Sequence, residues 1–520
     1  MNNVASWLAE ACTTWQEREA LVTEQQRLTY GQLDAQARRF ANQCSNWGIR
    51  SGERIAIYGP NSAEAVIAIL GSLKRGAVFL CIHPDTPWVK AAEIIHDAQA
   101  SMVVSSVTYP SWLHIRSVRL VLYTGDGSQG NDEAVDKGTP RPAMSFGTWL
   151  SAGGPEDRTY TQTGELAALI YTSGSTGKPK GVMSSHANIR FTTDAINHFL
   201  VHRPDDRVLS YLPLSFDYGL YQLFLTLSRG ASLHLRNGGR YIAMDVRKQL
   251  MNVGITGFPG LRALFAGITE FNDAIYENIR YLTNTGDFLP DATIGRLIDR
   301  FPNAELFLMY GVTECKRVSY LPPSLVASHR NSTGVPLNGT EAVVMDENGE
   351  ECPPDTAGEL VVWGEHVCMG YWMDERRTQE VFLNRNGIRG LRTGDLFCKD
   401  SDGFLYFLGR KDSMFKSRGF RIDPLEIENI LSAHLDEIIE VVAVGIPDRH
   451  AGHKIGVYMV LREGTDEAAC IQRARSVAKD RLELWKQPER FLIGRDMLLT
   501  PSGKIDRQAV RRRMSEGGDC

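Results

Sequence analysis

The stretch that most constrains this chain runs from Leu166 to Val182, where a strand-length apolar run, Leu166 to Tyr171, passes straight into Thr172-Ser173-Gly174-Ser175-Thr176-Gly177-Lys178-Pro179-Lys180-Gly181. The loop reads as a phosphate cradle. Glycines let backbone N–H groups approach a polyphosphate closely, hydroxyls add donors, and lysines supply point charges that neutralise it. Its order differs from a Walker A loop, because Gly177-Lys178 is followed by Pro179 rather than by Ser or Thr and a helix. Pro179 biases Lys178 away from helix, so the loop is expected to stay mobile over a nucleotide. Taken alone, a Gly/Ser/Thr run also suits an ordinary surface loop.

Elsewhere, strand-length apolar runs alternate with longer amphipathic stretches, as in Arg54 to Tyr58, Ser62 to Leu73 and Ala77 to Ile82. That alternation predicts an α/β fold. Between Tyr123 and Gly164 the chain turns to Gly, Ser, Pro, Asp and Thr, which reads as connecting loop. The stronger boundary falls near Gly409, where Asp402-Gly403 and Gly409 punctuate short strands. Beyond it, Leu425 to Leu431, Ile438 to Ile446 and Ile455 to Leu461 predict a small α/β unit of their own. The expected layout is a large multi-subdomain domain over residues 1–408, with mixed sheets and helices, and a small mobile α/β domain over 409–520.

With 520 residues, the chain is long enough for more than one core. A net charge of −5 without a long block of like charge argues against a nucleic-acid groove or an anionic membrane surface. Arg511-Arg512-Arg513 reads as a solvated helix end. The nine cysteines form no Cys-x-x-Cys pair and no His/Cys cluster at metal-ligand spacing, which argues against a disulfide framework or structural zinc. No uncharged run approaches the length of a membrane span. A cytoplasmic enzyme is the expectation.

Further motifs follow in order: Tyr310-Gly311-Val312-Thr313-Glu314, Gly358-Glu359-Leu360, Thr393-Gly394-Asp395, Gly409-Arg410-Lys411-Asp412, Gly419-Phe420-Arg421-Ile422 and Pro501-Ser502-Gly503-Lys504-Ile505-Asp506-Arg507. With the loop at Thr172 to Lys180, this series resembles the signature of the acyl-adenylate-forming superfamily, which holds acyl-CoA synthetases, luciferases and the adenylation domains of nonribosomal peptide synthetases. The resemblance reaches the amino-terminal part through Leu28-Thr29-Tyr30 and Gly52 to Ile57, and so covers nearly the whole chain.

The resemblance implies a reaction and a set of roles. A carboxylate is a poor electrophile, and displacement of pyrophosphate from ATP converts it into an acyl-adenylate. Such a site has to neutralise phosphate charge and align two anions. Thr172 to Gly177 and Lys180 would hold the phosphates, and Glu314, beside Thr313, would bind Mg²⁺. Tyr310 and Gly311 would meet the adenine, with the tyrosine ring stacked on it, while Asp395 and Arg410 would meet the ribose hydroxyls. Lys504, the main catalytic candidate, would reach between the substrate carboxylate and the α-phosphate. Asp412 matches the family's hinge position, about which the small domain is expected to rotate between two half-reactions.

Phe216, Asp217, Tyr218, Tyr221, Asn284, Gly286 and Met309 resemble the acyl-pocket walls. Asp217 falls where peptide-synthetase adenylation domains place the aspartate that pairs with an α-ammonium, although Tyr218-Gly219-Leu220-Tyr221 departs from their common wording and stand-alone acyl ligases carry a similar string. Cys315-Lys316-Arg317 reads as a solvated loop, or as a contact to a second acid group or a phosphopantetheine. Sixteen residues follow Lys504, so the acceptor is expected in trans. The expected enzyme is a stand-alone acid–thiol ligase using ATP, Mg²⁺ and either coenzyme A or a carrier protein's phosphopantetheine. Amino-acid loading of a carrier and direct amide formation with an amino acid are the alternatives. A nucleotide-binding protein without catalysis fits less well, because Glu314 and Lys504 are both retained, and no Gly-x-Ser-x-Gly elbow supports a hydrolase.

Overall fold

A computed structural model describes residues 3–107, 115–124, 143–152, 164–173, 179–238, 242–271, 273–411, 415–417, 420–448, 452–501 and 503–516. The α/β alternation appears where the apolar pattern predicts it. Strands Arg54–Tyr58 and Val78–Ile82 flank the helix Ala63–Arg75. Ser62 caps that helix by accepting from Ala65 N–H, and Gly76 ends it at φ +73°, a left-handed conformation that favours glycine.

Two sheets build the large domain. In one, described as seven strands, Ala143–Ser145, Leu120–Tyr123, Ala100–Ser105, Arg54–Tyr58, Val78–Ile82 and Leu166–Ser173 lie side by side in parallel, and Pro179–Ser185 closes the edge as an antiparallel hairpin. The other, described as fourteen strands, has a parallel centre of Ser232–Leu235, Arg207–Ser210, Gly257–Gly260, Tyr281–Asn284 and Glu305–Tyr310, and continues antiparallel through Ser319–Leu321, Ser332–Pro336 and Leu405–Arg410. A largely parallel sheet is covered on both faces and gathers its loops at the strands' carboxyl ends, the side on which open α/β sheets bind ligands.

The small domain has its own core. The helices Pro424–His434 and Glu467–Arg481 pack with a three-stranded sheet, Ile438–Asp448, Gly452–Leu461 and Arg490–Gly494, around Ile427, Leu431, Val441, Val457 and Ala474. Gly409 and Arg410, expected to open this domain, pair instead with Leu396 and Asp395 inside the large sheet. Arg511 to Arg513 lie on the terminal helix Arg507–Glu516. Among the described residues, no helix is long and apolar enough to cross a membrane.

The segment from Tyr123 to Gly164 is more than a connecting loop. It contains the strand Ala143–Ser145 and the helix Phe146–Ser151, whose Phe146 and Trp149 are buried against Phe40 with ring centroids 5.8 and 5.1 Å away. Two aromatics three apart suffice to dock one helical turn, and the Gly-rich surroundings mask them in a composition average. Trp149→Ala is therefore expected to lower the stability of the large domain by about 3–5 kcal/mol. Denaturant unfolding followed at the large domain's transition checks this, and a change below about 1 kcal/mol would place Trp149 outside the core.

Candidate active site

A cavity of about 1110 Å³ opens at the carboxyl ends of Tyr281–Asn284 and Glu305–Tyr310 and is shared by both domains. At one end the large domain presents Phe216, Asp217, Asn284, Gly286 and Met309, and the small domain presents Lys504. The lysine comes close. A Cβ on Gly286 would lie 2.9 Å from Lys504 Cε and 3.3 Å from Nζ, and Nζ sits 4.7 Å from the Phe216 ring centroid. Gly286 adopts φ +86°, so both the conformation and the close approach call for glycine here.

The turn carrying Lys504 is tied to itself and to the large domain. Thr500 N–H donates to the Lys504 carbonyl at 2.7 Å, Gly503 N–H donates to the Thr500 carbonyl at 2.9 Å, and Lys504 N–H donates to Thr500 Oγ1 at 3.2 Å. Ile505 N–H reaches across to Asp287 Oδ2 at 3.4 Å. Gly503, at φ +83°, turns the chain against Leu261.

At the opposite end Thr172 and Lys180 face each other across the hairpin Leu166–Ser173/Pro179–Ser185, and both line the cavity. Ser173 ends the first strand. Gly174, Ser175, Thr176 and Gly177 lie outside the described residues, as does Asp412. Thr313 and Glu314 also line the cavity, on the loop after Glu305–Tyr310. That loop folds back tightly enough that a Cβ on Gly311 would lie 2.0 Å from the Lys316 carbonyl oxygen. Tyr371 Oη donates to Glu314 Oε1 at 2.8 Å, and Lys180 Nζ stands 5.3 Å over the Tyr371 ring. Burial and then the Arg377 guanidinium push the Lys180 ammonium below its usual range, against the opposing pull of Glu314. Nothing in the sequence pattern singled out Tyr371, an aromatic 57 residues from the carboxylate it orients.

Tyr310, Asp395 and Arg410 meet on a third wall. Tyr310 Oη donates to Asp395 Oδ2 at 2.6 Å, and Arg410 Nε lies 3.4 Å from Oδ1 across the strand pair. The Tyr310 ring is flanked by Phe397 and Phe407, with centroids 4.7 and 6.2 Å away, so it is packed as well as cavity-lining.

Two expected pocket residues stand behind the wall. Tyr218 is 2% exposed and donates to the Thr283 carbonyl at 2.7 Å, and Tyr221, equally buried, packs edge-on to Phe224. Both lie on the helix Asp217–Leu227, which begins with Asp217 facing the cavity and its Oδ1 accepting from Tyr218 N–H. Lys316 and Arg317 are not a solvated loop. They are 3% and 5% exposed, because Lys316 Nζ turns inward to the Thr313 carbonyl at 2.7 Å and the Arg317 guanidinium lies over the Tyr218 ring, donating to Thr285 Oγ1 at 2.6 Å. Charge count along the sequence cannot register such back-folding.

Residues 8–372 match the AMP-binding enzyme family, and residues 426–504 match the C-terminal domain of AMP-binding enzymes. The chain belongs to this family, that of the adenylate-forming ligases. Tyrocidine synthase 1 of Brevibacillus parabrevis is 28% identical over 96% of this chain and 44% of that protein. Syringomycin synthase SyrB1 of Pseudomonas syringae pv. syringae is 27% identical over 95% of this chain and 79% of that protein. The chain spans less than half the length of several such relatives, among them 21% of a dimodular nonribosomal peptide synthase of Bacillus subtilis. In fold it is similar to the anthranilate CoA ligase AuaEII in complex with anthranoyl-AMP, with a TM-score of 0.87 and 22% identity over 98% of this chain and 97% of that one. It is also similar to the o-succinylbenzoate CoA synthetase MenE of Bacillus subtilis in complex with ATP and magnesium ion, with a TM-score of 0.80 and 26% identity over 96% of this chain and 98% of that one. The AMP-binding enzymes so matched include both peptide synthetases and acid–CoA ligases.

One cavity residue of the small domain has a marked proton affinity. Burial, with Glu428 and Glu426 nearby, raises the Asp423 carboxyl to about 6, while the Leu425 N–H and Arg507 act the other way. An unfolded aspartate titrates near ~4. The folded state therefore binds more protons than the unfolded one between those values, and stability falls as pH rises through that window. Asp423→Asn keeps the acceptor for Leu425 N–H and removes the titration. The variant's small domain is expected to be about 1–3 kcal/mol more stable than wild type at pH 7 and equal to it at about pH 4. Thermal melts across that range check it; parallel pH profiles for the two proteins would refute it.

Proposed function

We propose that this chain is an ATP- and Mg²⁺-dependent ligase that activates a small carboxylic acid as its acyl-AMP, releases pyrophosphate and passes the acyl group to a thiol. The observation that carries this reading is the seat of Lys504, its ammonium against Gly286 and Phe216 at one end of a cavity whose other end holds Lys180 and Glu314. A cation there meets the acid's carboxylate and the α-phosphate together and stabilises the charge that develops as pyrophosphate leaves. Lys180 and the Thr172 hairpin neutralise the departing phosphates. Asp395 and Arg410 fit a ribose diol, as an acceptor and a fork of donors.

Glu314 would hold the Mg²⁺, its carboxylate oriented by Tyr371. A carboxylate oxygen is the ligand type such a hard cation prefers, and when bound the ion would neutralise phosphate charge. The small domain, here seated for the first step, would rotate about the segment containing Asp412 to admit the acceptor.

Coenzyme A is the acceptor suggested by MenE and by the 25%-identical benzoate CoA ligase from Burkholderia xenovorans, and a carrier protein's phosphopantetheine by the peptide synthetases. Amino-acid activation is a second reading with an observation of its own, Asp217 facing the cavity from which Lys504 is reached, since the two would clamp an amino acid at both charged ends. An amide product, formed by an amino acid's amine, would require the same first step. In this reading the enzyme works in the cytoplasm, where its substrates ATP and coenzyme A are available.

Acid-dependent pyrophosphate release over a panel of amino, aliphatic and aromatic acids, each with coenzyme A, hydroxylamine or amino acids as acceptor, tests the reading. Release confined to amino acids would favour carrier loading; no release with any acid would refute the proposal. Lys504→Ala is expected to lower pyrophosphate release by about 10²-fold or more while sparing transfer from supplied acyl-AMP. Equal loss of both half-reactions would refute the role of Lys504.

A further inference from the structure

The small domain meets the large one through charges shut away from water. Arg262 opens the helix Arg262–Thr269, directly after the large-domain strand Gly257–Gly260 and Leu261, and is 1% exposed. Its partners belong to the other domain. Nη2 lies 2.7 Å from Glu440 Oε2 and donates to the Val441 carbonyl at 3.1 Å, and Nη1 lies 3.5 Å from Glu428 Oε2.

The two carboxylates differ in their support. Glu428 is satisfied inside its own domain, accepting from Ala443 N–H at 2.9 Å and from Arg507 Nη2 at 3.0 Å. Glu440, 4% exposed, has Arg262 as the one basic side chain within ion-pair distance of it among the described residues. Burial holds the Glu440 carboxyl above its usual range despite Arg262. Glu440 therefore has a counterion only when the domains dock in this register.

A buried ion pair adds little net stability over an apolar contact of the same shape, but a mismatched register that buries either charge alone is costly. The pair consequently discriminates between ways of docking more than it strengthens docking. It also stands next to the chemistry, since Leu261, the residue before Arg262, is the neighbour that a Cβ on Gly503 would meet at 3.0 Å. Lys504 follows immediately.

We infer that Arg262 is a positioning residue for the adenylation step: paired with Glu440, it fixes the register in which the small domain seats Lys504 against Gly286 and Phe216, and this pair parts before the second half-reaction. The inference rests on the role of Lys504 proposed above.

The test uses the full chain as wild type, Arg262→Met, Arg262→Lys and the double variant Arg262→Met with Glu440→Gln, which leaves no unpaired charge at Glu440. With the acid found active in the panel, Arg262→Met is expected to lower kcat for pyrophosphate release about tenfold, with KM for ATP and acid within about threefold, while the rate from supplied acyl-AMP and coenzyme A or hydroxylamine is kept. Arg262→Lys and the double variant are expected to recover part of the loss. Unchanged kcat, or equal loss in both half-reactions without recovery, would overturn the inference. Hydrogen exchange of the substrate-free protein reads docking apart from activity. Amides of residues 438–446 and 499–506 are expected to exchange faster in Arg262→Met, with the remote strand Arg54–Tyr58 unchanged. If the wild type releases no pyrophosphate with any acid but these amides still loosen, the proposed function fails and the docking role stands. If the wild type is active and the amides keep their protection, the docking role fails.

Discussion

Everything at this site depends on a lysine that belongs to one hydrophobic core entering a cavity built by another. Lys504 is carried by the small domain, whose core is formed around Ile427, Leu431 and Val457, whereas Phe216 and Met309 belong to the core of the large domain. The large domain makes room by omission. Gly286 lacks the Cβ that would collide with the lysine, and its left-handed backbone lets the strand Tyr281–Asn284 end in a sharp turn just where the parallel sheet opens. Parallel pairing puts the ends of neighbouring strands level with one another, so the loop bearing Glu314 emerges beside the loop bearing Gly286.

The polar groups around the cavity are restrained in pairs. Tyr371 fixes Glu314, Tyr310 fixes Asp395, and Asp287 receives a backbone N–H from the loop of Lys504. Each pairing limits the rotamers of a cavity-lining group, and in the proposed reaction less reorganisation would be left for the moment of charge development. Behind them, Arg317 and Lys316 are tied to a threonine hydroxyl and a backbone carbonyl, and act as struts for the loop rather than as solvated charges.

The motif-bearing parts of this arrangement were legible because their chemistry demands particular residues at short spacing. The hairpin from Leu166 to Ser185, the Thr313-Glu314 loop and the small domain's helix-strand alternation all follow patterns confined to a few adjacent positions. Asp217, Asn284 and Met309 likewise face the cavity. What escaped reading has a common cause: it depends on contacts between distant segments. Tyr371 reaches Glu314, Arg262 meets Glu440, and Phe146 and Trp149 dock on Phe40, with no local periodicity to announce any of them. Tyr218 and Tyr221 are buried behind the wall for different reasons: Tyr218 follows Asp217 and so points about 100° round the helix from it, whereas Tyr221 lies one turn further along, where the helix packs into the core. Gly409 and Arg410 belong to the large sheet because the long partner strand Ile388–Lys399 still offers Leu396 and Asp395 for them to pair with.

The shared ownership of the cavity also bears on how the protein responds to stress. Two separately packed cores joined through a few charges and one turn undock at a lower free energy than either core unfolds, because undocking exposes far less apolar surface. Heat or mild denaturant will therefore draw the lysine out of the cavity while both domains remain folded. If Lys504 acts as proposed, activity will fade before any loss of secondary structure is seen, and cooling or dilution will restore it without refolding.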